Sequence, residues 1–253
     1  AIILLAAIYY GAMYGGAISS ILLGIPGAST AVATTFDGRP MAQKGQAALA
    51  LIAAAFASFV GGTIAVILFT LFAIPLADVA LAFGPAEEFA LVLLAFTTFV
   101  GLGGDDILKT IIMICLGLVL STVGLDLISG QPRLIFGDLP GFYSGISFLV
   151  LAIGVYGVGE VLYTIETSKS NPTVSNAKIT FKDLYTGIKT ISNYTKTMSI
   201  GSFLGFFVGM LPAAGATPAS LMAYGLAKQT SKKPETFGDG NIEGVIAPET
   251  ANN

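Results

Sequence analysis

Histidine and tryptophan are absent from these 253 residues, cysteine occurs once, and charged residues make up only 11%. Without histidine there is no Ser-His-Asp type triad and the commonest metal ligand is missing. Cys115 stands alone in an apolar run, so no disulfide can form within the chain. The net charge of −3 offers no basic surface for nucleic acid. No Gly-rich loop ends in Gly-Lys-Ser/Thr and no G-x-G-x-x-G joins a strand to a helix, so an ATP-driven pump has no support. Against that scarcity stands a hydrophobic content of 54%, more than a soluble domain of this length can hide. The reading is an all-α, polytopic transmembrane protein. The chain opens at Ala1 inside an apolar run, with no basic segment before it, and reads as a fragment of a longer protein.

Two stretches carry no charge and are each broken around a proline: residues 1–36 and 197–227. With Pro26 and Pro212 aligned, Gly15 and Gly201 both fall eleven residues before the proline, and Ser19 and Gly205 seven before it. Thr30 and Thr217 follow at four and five residues. Paired apolar segments interrupted by Gly and Pro at matching places point to a transporter site made from discontinuous helices. Proline frees a carbonyl and glycine bares the backbone, which is tolerated within a membrane only where protein or a water-filled cavity satisfies it. Such ends offer N–H groups to an anion and carbonyls to a cation. The candidate substrate-binding set is therefore Pro26, Gly27, Ala28, Ser29 and Thr30 with Pro212, Gly215, Ala216, Thr217, Pro218 and Ser220, and neither motif contains a charge. A plain proline kink with small residues for packing is the alternative for either segment alone. Gly11, Gly15 and Ser19, like Gly201, Gly205 and Gly209, are expected to be packing faces.

Between the motifs, uncharged runs at 47–77, 89–104, 110–125 and 139–159 supply four expected crossings, the second and third short for a span. A tight turn is expected at Gly103 to Asp106. Arg39 and Lys44 mark a loop at 37–46, and Lys169, Lys178, Lys182, Lys189 and Lys196 mark a polar stretch at 164–196. The loop at 78–88 carries acids and no basic residue, and the loop at 126–138 carries one Arg, Arg133. The basic loops share a side after four crossings, which makes that side cytoplasmic. Within 164–196, residues 181–191 show helical apolar spacing, with Thr180 and Asp183 as a capping box. A helix on the membrane surface or one docked on the protein's own loops fits equally. The division is a first repeat at 1–163, a Lys-rich loop at 164–196 and the start of a second repeat at 197–253.

Other acids are weaker candidates. Glu160 lies near the cytoplasmic boundary, where a hydrated or capping carboxylate is ordinary; as an intramembrane acid it is a candidate for ion coupling. The tail at 234–253 is polar, and its Glu249, Asn252 and Asn253 could cap the broken helix or bind substrate; Glu249 is also, with Glu160, a candidate for ion coupling. Asp105 and Asp106 follow a Gly-rich segment, as in intramembrane aspartyl proteases, but no second aspartate stands in a suitable context. A non-transporting membrane scaffold is the remaining alternative.

The stretches Tyr14–Gly45, Ser121–Gly137, Gly154–Leu162 and Gly205–Gly225, followed by IEGVIAPETANN, resemble the large membrane subunit of the tripartite tricarboxylate transporters in order along the chain. One departure is Ala213, where the family usually shows glycine. The resemblance implies a protein of roughly twice this length in a bacterial inner membrane. It implies a small membrane subunit and a periplasmic solute-binding protein as partners, with uptake of a di- or tricarboxylate driven by a Na+ or H+ gradient and no other cofactor. It also implies two halves of opposite orientation, of which this chain holds the first and the start of the second.

Overall fold

The computed structural model describes every residue except 1, 83, 103–105, 127, 138, 167–178 and 212–214. The chain is helical almost throughout, with one pair of two-residue strands. The first helix, α1 (Ile2–Leu23), stops where Gly24 takes φ +74° and its N–H returns to the Ser20 carbonyl. Pro26, two residues on, has no N–H with which to continue a helix. The chain then doubles back extended along α1. Gly27 donates to the Gly16 carbonyl at 3.4 Å, and the two backbones touch. A Cβ on Gly27 would lie 2.4 Å from the Ser19 Oγ, and one on Gly16 2.8 Å from the Ala28 Cβ. A short 3-10 turn, Ser29–Ala31, leads into α2 (Val32–Gln43), which passes Ile21 and Leu22 again on its way out.

The 36-residue α3 (Ala47–Ala82) runs back along α1, with the Tyr10 hydroxyl bonded to the Ser58 carbonyl. Helices α4 (Pro85–Leu102) and α5 (Ile107–Ser121) follow. A small hairpin pairs β1 (Gly124–Leu125) with β2 (Pro132–Arg133) and is tied by an Asp126–Arg133 ion pair. The next helix enters as α6 (Phe148–Ala152), widens to a π-helix at Ile153–Val158 and leaves as α7 (Gly159–Glu166). Helix α8 (Phe181–Ile191) has its capping box in place, and the Thr180 hydroxyl and N–H hold the Asp183 carboxyl below the usual range. Gly187 of α8 abuts Ile52 of α3 and Ile191 is fully buried, while Phe181 and Tyr185 are exposed. One face of α8 is thus docked on the protein and another is free.

The second broken segment is built differently. Helices α9 (Thr195–Met210) and α10 (Ala216–Thr230) form a hairpin whose open end is held by one carboxylate. Glu243 accepts from Thr197 in the first turn of α9 and from Ser231 just after the last turn of α10, both at 3.1 Å. From there α11 (Glu243–Ala251) descends between α9 and α3. This packing is backbone against backbone: a Cβ on Gly61 would lie 2.2 Å from the Thr250 carbonyl oxygen, and one on Gly205 2.3 Å from that of Ala251.

Several expectations are corrected. The loop expected at 37–46 is helical to Gln43, which leaves three residues for the turn. The first break spans 24–28, earlier than 26–30. In the second, Ala216, Thr217 and Pro218 are already helical, because proline is compatible with a first helical turn. Gly11, Gly15 and Gly209 have nothing within 4 Å of a built Cβ, so the close contacts fall to Gly16, Gly27, Gly201 and Gly205. The expected turn at 103–106 lies outside the described residues except for Asp106, which caps α5.

The core is small-residue rich around Ile21, Met41, Val245 and Ile246, with a second cluster around Tyr224 and Phe237. Outside it, α5 has no buried residue, and Val66, Phe69, Leu71 and Ile74 of α3 are all exposed. Ile3–Leu23 and Ala47–Phe72 are long and apolar enough to cross a membrane, and Ile107–Ser121 and Phe148–Tyr163 are shorter apolar helices. Gly61→Ala should separate α3 from α11 at a cost of about 1–3 kcal/mol, read as a lower thermal unfolding midpoint of the full chain in detergent. Gly117→Ala, with nothing within 4 Å, should leave the midpoint unchanged or raised.

Candidate functional site

The two breaks meet. The Thr217 hydroxyl, in the first turn of α10, donates to the Ser29 hydroxyl at 3.0 Å, and Ser29 opens the 3-10 turn into α2. Both are half-buried. Two restarted helices thus begin side by side, with unsatisfied N–H groups at each start. Of the other expected residues, Pro26 is fully buried, Gly27 and Ala28 form the extended return, and Gly215 takes φ +71° as N-cap of α10. Ser220 donates to the Thr217 carbonyl within its own helix. Thr30 is turned away: it is buried and its hydroxyl contacts the Met13 sulfur at 3.0 Å. Pro212 lies outside the described residues.

Beneath the start of α10 opens a cavity of about 480 Å³ between α3, α9 and α11, lined by Gly215, Ala216, Ser202, Asn252 and Asn253 among others. Three buried polar atoms there have no hydrogen-bond partner among the described residues: Ser202 Oγ, Asn252 Nδ2 and Asn253 Oδ1. Buried polar atoms are ordinarily paired. Much of the remaining lining is apolar, from Val66, Phe69, Phe206 and Met210, so it is the donor-bearing end at the start of α10 that suits a polar or anionic group.

Two acids are buried at the core of the assembly. Asp37 in α2 is 0% exposed. Its Oδ1 accepts the N–H groups of Gly238, Gly240 and Asn241 at 2.7–2.9 Å, and its Oδ2 accepts the Tyr224 hydroxyl at 2.8 Å. Glu249 in α11 is also 0% exposed. Its Oε1 accepts from Thr34 of α2 at 2.5 Å and its Oε2 from Ser58 of α3 at 3.1 Å. Glu160, by contrast, is part-exposed and paired with Arg39, whose Nη2 and Nε lie 2.6 and 3.1 Å from one carboxylate oxygen. Arg39 also donates to the Leu22 carbonyl, so this pair ties α7 and α2 to the first break.

Sequence reasoning named Glu249 but missed Asp37, Thr34, Ser58 and Tyr224. Asp37 had a visible signal, since it is the first charge after 36 uncharged residues. The partners had none, because hydroxyls scattered through apolar runs look alike until helices are placed.

The sequence profile described as the Tripartite tricarboxylate transporter TctA family matches residues 1–253. The chain belongs to that family. TctA is a transporter family and not an enzyme family, and the membrane is its place of work. An uncharacterized 52.8 kDa protein in the TAR-I ttuC' 3' region of Agrobacterium vitis is 41% identical over 252 residues, covering 100% of this chain and 49% of the relative. A second uncharacterized protein, in the TAR-II ttuC' 3' region of the same organism, is 49% identical over 49 residues, 19% of this chain and 20% of that protein. The chain therefore spans about half the length of the curated relative that it matches throughout. No solved structure matches.

Removing one donor from Asp37 by Tyr224→Phe should destabilise this TctA-family chain by about 1.5–3 kcal/mol. Asp37→Ala strands three backbone N–H groups and should cost more. It should also expose the 231–242 linker to protease, which limited proteolysis in detergent would read out.

Proposed function

We propose that this chain is part of the membrane permease of a tripartite transporter, and that it holds one carboxylate of a di- or tricarboxylate where the two broken segments meet. The observation that carries this reading is the 3.0 Å contact of Thr217 with Ser29, which joins the first turns of two helices from distant parts of the sequence. Helix N-termini attract anions through free N–H groups and the helix dipole, without a buried cation. Ser202 Oγ, without a partner among the described residues, and Asn252, whose side chain also faces Glu249, stand beside the start of α10 and support the same reading. Pro26, Gly27 and Ala28 would shape the return that places Ser29, and Pro218 and Ser220 would fix the first turn of α10. The coupling ion is taken to be Na+ or H+. A small membrane subunit and a periplasmic binding protein are the expected partners, and the bacterial inner membrane is the expected location.

The proposed topology has four crossings between the breaks, α3, α4, α5 and α6–α7. The Arg39–Glu160 pair supports it, because it brings the end of α2 and the end of the fourth crossing to the same side. The repeat of opposite halves is proposed on the sequence correspondence around Pro26 and Pro212. Cysteines at Gln43 and Ser170 should label from the cytoplasm and one at Glu87 from outside; opposite labelling of 43 and 170 would refute the four-crossing arrangement.

Thr217→Val and Ser29→Ala should each weaken apparent affinity for the carboxylate about tenfold, with expression intact. Thr30→Val should do little, since that hydroxyl faces Met13. Labelled-citrate uptake by vesicles carrying the full-length permease and its partners would measure this. Unchanged affinity in both Thr217 and Ser29 variants would reduce the breaks to packing kinks.

A further inference from the structure

We propose that Glu249 is the proton-carrying group of this permease, neutral in one stage of transport and ionised in another, with Thr34 and Ser58 as its partners in both. The proposal rests on the reading of the chain as a carboxylate transporter and adds the identity and place of the coupling ion. An ionised carboxylate with no exposure and only neutral donors is costly to maintain. It is neutralised by a proton, by a bound cation or by a basic side chain. Among the described residues no Lys or Arg forms an ion pair with Glu249.

The geometry favours the proton over a metal cation. Thr34 Oγ1 lies 2.5 Å from Oε1 and Ser58 Oγ 3.1 Å from Oε2, each a direct hydrogen bond to the carboxyl group. A hard cation would gather several oxygens about itself. Among the described residues no group of three or more His, Cys, Asp or Glu side chains stands together to hold one.

Ser58 is placed to serve both charge states. Its Oγ is 3.1 Å from Oε2 and 3.4 Å from the backbone carbonyl oxygen of Glu249. With the carboxylate ionised, the hydroxyl donates to Oε2. When a proton from water is taken up on Oε2, that O–H donates to Ser58 Oγ, and the Ser58 proton turns to the Glu249 carbonyl. Returning the proton to water reverses both bonds. No donor is stranded in either state, and the only rearrangement is rotation of a hydroxyl. Asp37 has no such freedom: three of its four donors are backbone N–H groups, which cannot turn to accept.

The surroundings isolate this one titration. Tyr10 and Tyr14 of α1 are close enough to feel the Glu249 charge. Residues 47–72 of α3 and 197–210 of α9 contain no titratable side chain. Asp37 of α2 is turned to the 238–241 loop, and Tyr224 of α10 is turned to Asp37. The link to substrate is short in sequence. Asn252, three residues beyond Glu249, lines the cavity beneath α10, and Thr34 lies five residues beyond Ser29.

The test uses the full-length permease with its partner subunits in proteoliposomes, with labelled citrate as probe. Wild type should accumulate citrate under an imposed pH gradient. Glu249→Gln, neutral and of the same shape, should lose at least about tenfold of that accumulation while retaining citrate–citrate exchange, which should no longer depend on pH. Thr217→Val should show the opposite split, with weaker affinity and an intact response to the gradient. Wild-type-like accumulation by Glu249→Gln overturns the proposal, as does accumulation driven by Na+ with no response to pH. Loss of exchange together with uptake in a folded Glu249→Gln also overturns it, because Glu249 would then bind substrate. Should that variant not fold, Ser58→Ala must move the pH midpoint of exchange by about one unit, and an unmoved midpoint overturns the proposal. No citrate movement by wild type under any gradient would count against both the proton role and the transport reading.

Discussion

The carboxylate of Asp37 accepts four hydrogen bonds, three from the 238–241 backbone and one from Tyr224, and the interior is arranged around it. It sits on α2, the helix that restarts after the first break. Its donors belong to the loop before α11 and to α10, both beyond the second break. One buried carboxyl group thus fixes α2 against the far end of the sequence. Ser29 then meets Thr217 and Thr34 meets Glu249 as consequences of the same register. Stranding those donors would leave buried polar groups unpaired, which is why the arrangement resists drift. The Phe36–Tyr224 and Tyr224–Phe237 edge-on contacts, at 5.3 and 5.4 Å, wrap this anchor in apolar surface.

Close backbone approach is the second constraint. Helix α11 lies so near α3 and α9 that Gly61, Gly201 and Gly205 leave no space for a side chain, and the extended return beside α1 demands the same of Gly16 and Gly27. Small residues gain helix contact in a membrane, where burial of apolar side chains gives little drive for association. Here they also bring polar groups of different helices within bonding distance. Glu249 can reach Ser58 because α11 and α3 touch at Gly61, one turn away. The packing thus positions the chemistry, while the exposed apolar faces of α4 and α5 do neither.

Much of this was legible in the sequence. The uncharged runs gave the helices, Thr180 and Asp183 gave the start of α8, and the paired Gly/Pro spacing pointed to two segments that do lie in contact. Boundaries near proline were less legible, since Pro218 is accommodated in a first turn and Pro40 inside α2. The chain around the two prolines is also arranged differently despite similar spacing: Gly27 lies on an extended return along α1, whereas α9 and α10 pack as a hairpin. The reason is tertiary: Gly27 finds Gly16 to lie against, whereas the hairpin is closed by Glu243, far along the chain. Of the small-residue stripes, Ser19, Gly201 and Gly205 make close contacts as expected, while Gly16 rather than Gly15 meets the return, because spacing alone does not say which face meets a neighbour. The polar partners of Asp37 and Glu249 were not legible, being set by contacts across roughly two hundred residues of sequence.

The central claim is that the two broken segments form a single carboxylate site, and a cross-link reads it most directly. Cysteines at Ser29 and Thr217, in the full-length permease with Cys115→Ala, should form a disulfide on mild oxidation in membranes, because the native hydroxyls are 3.0 Å apart. The account predicts that citrate slows the cross-linking and that the cross-linked permease no longer transports. Failure of this pair to cross-link, or a cross-link indifferent to carboxylate in a permease that still transports, would contradict it.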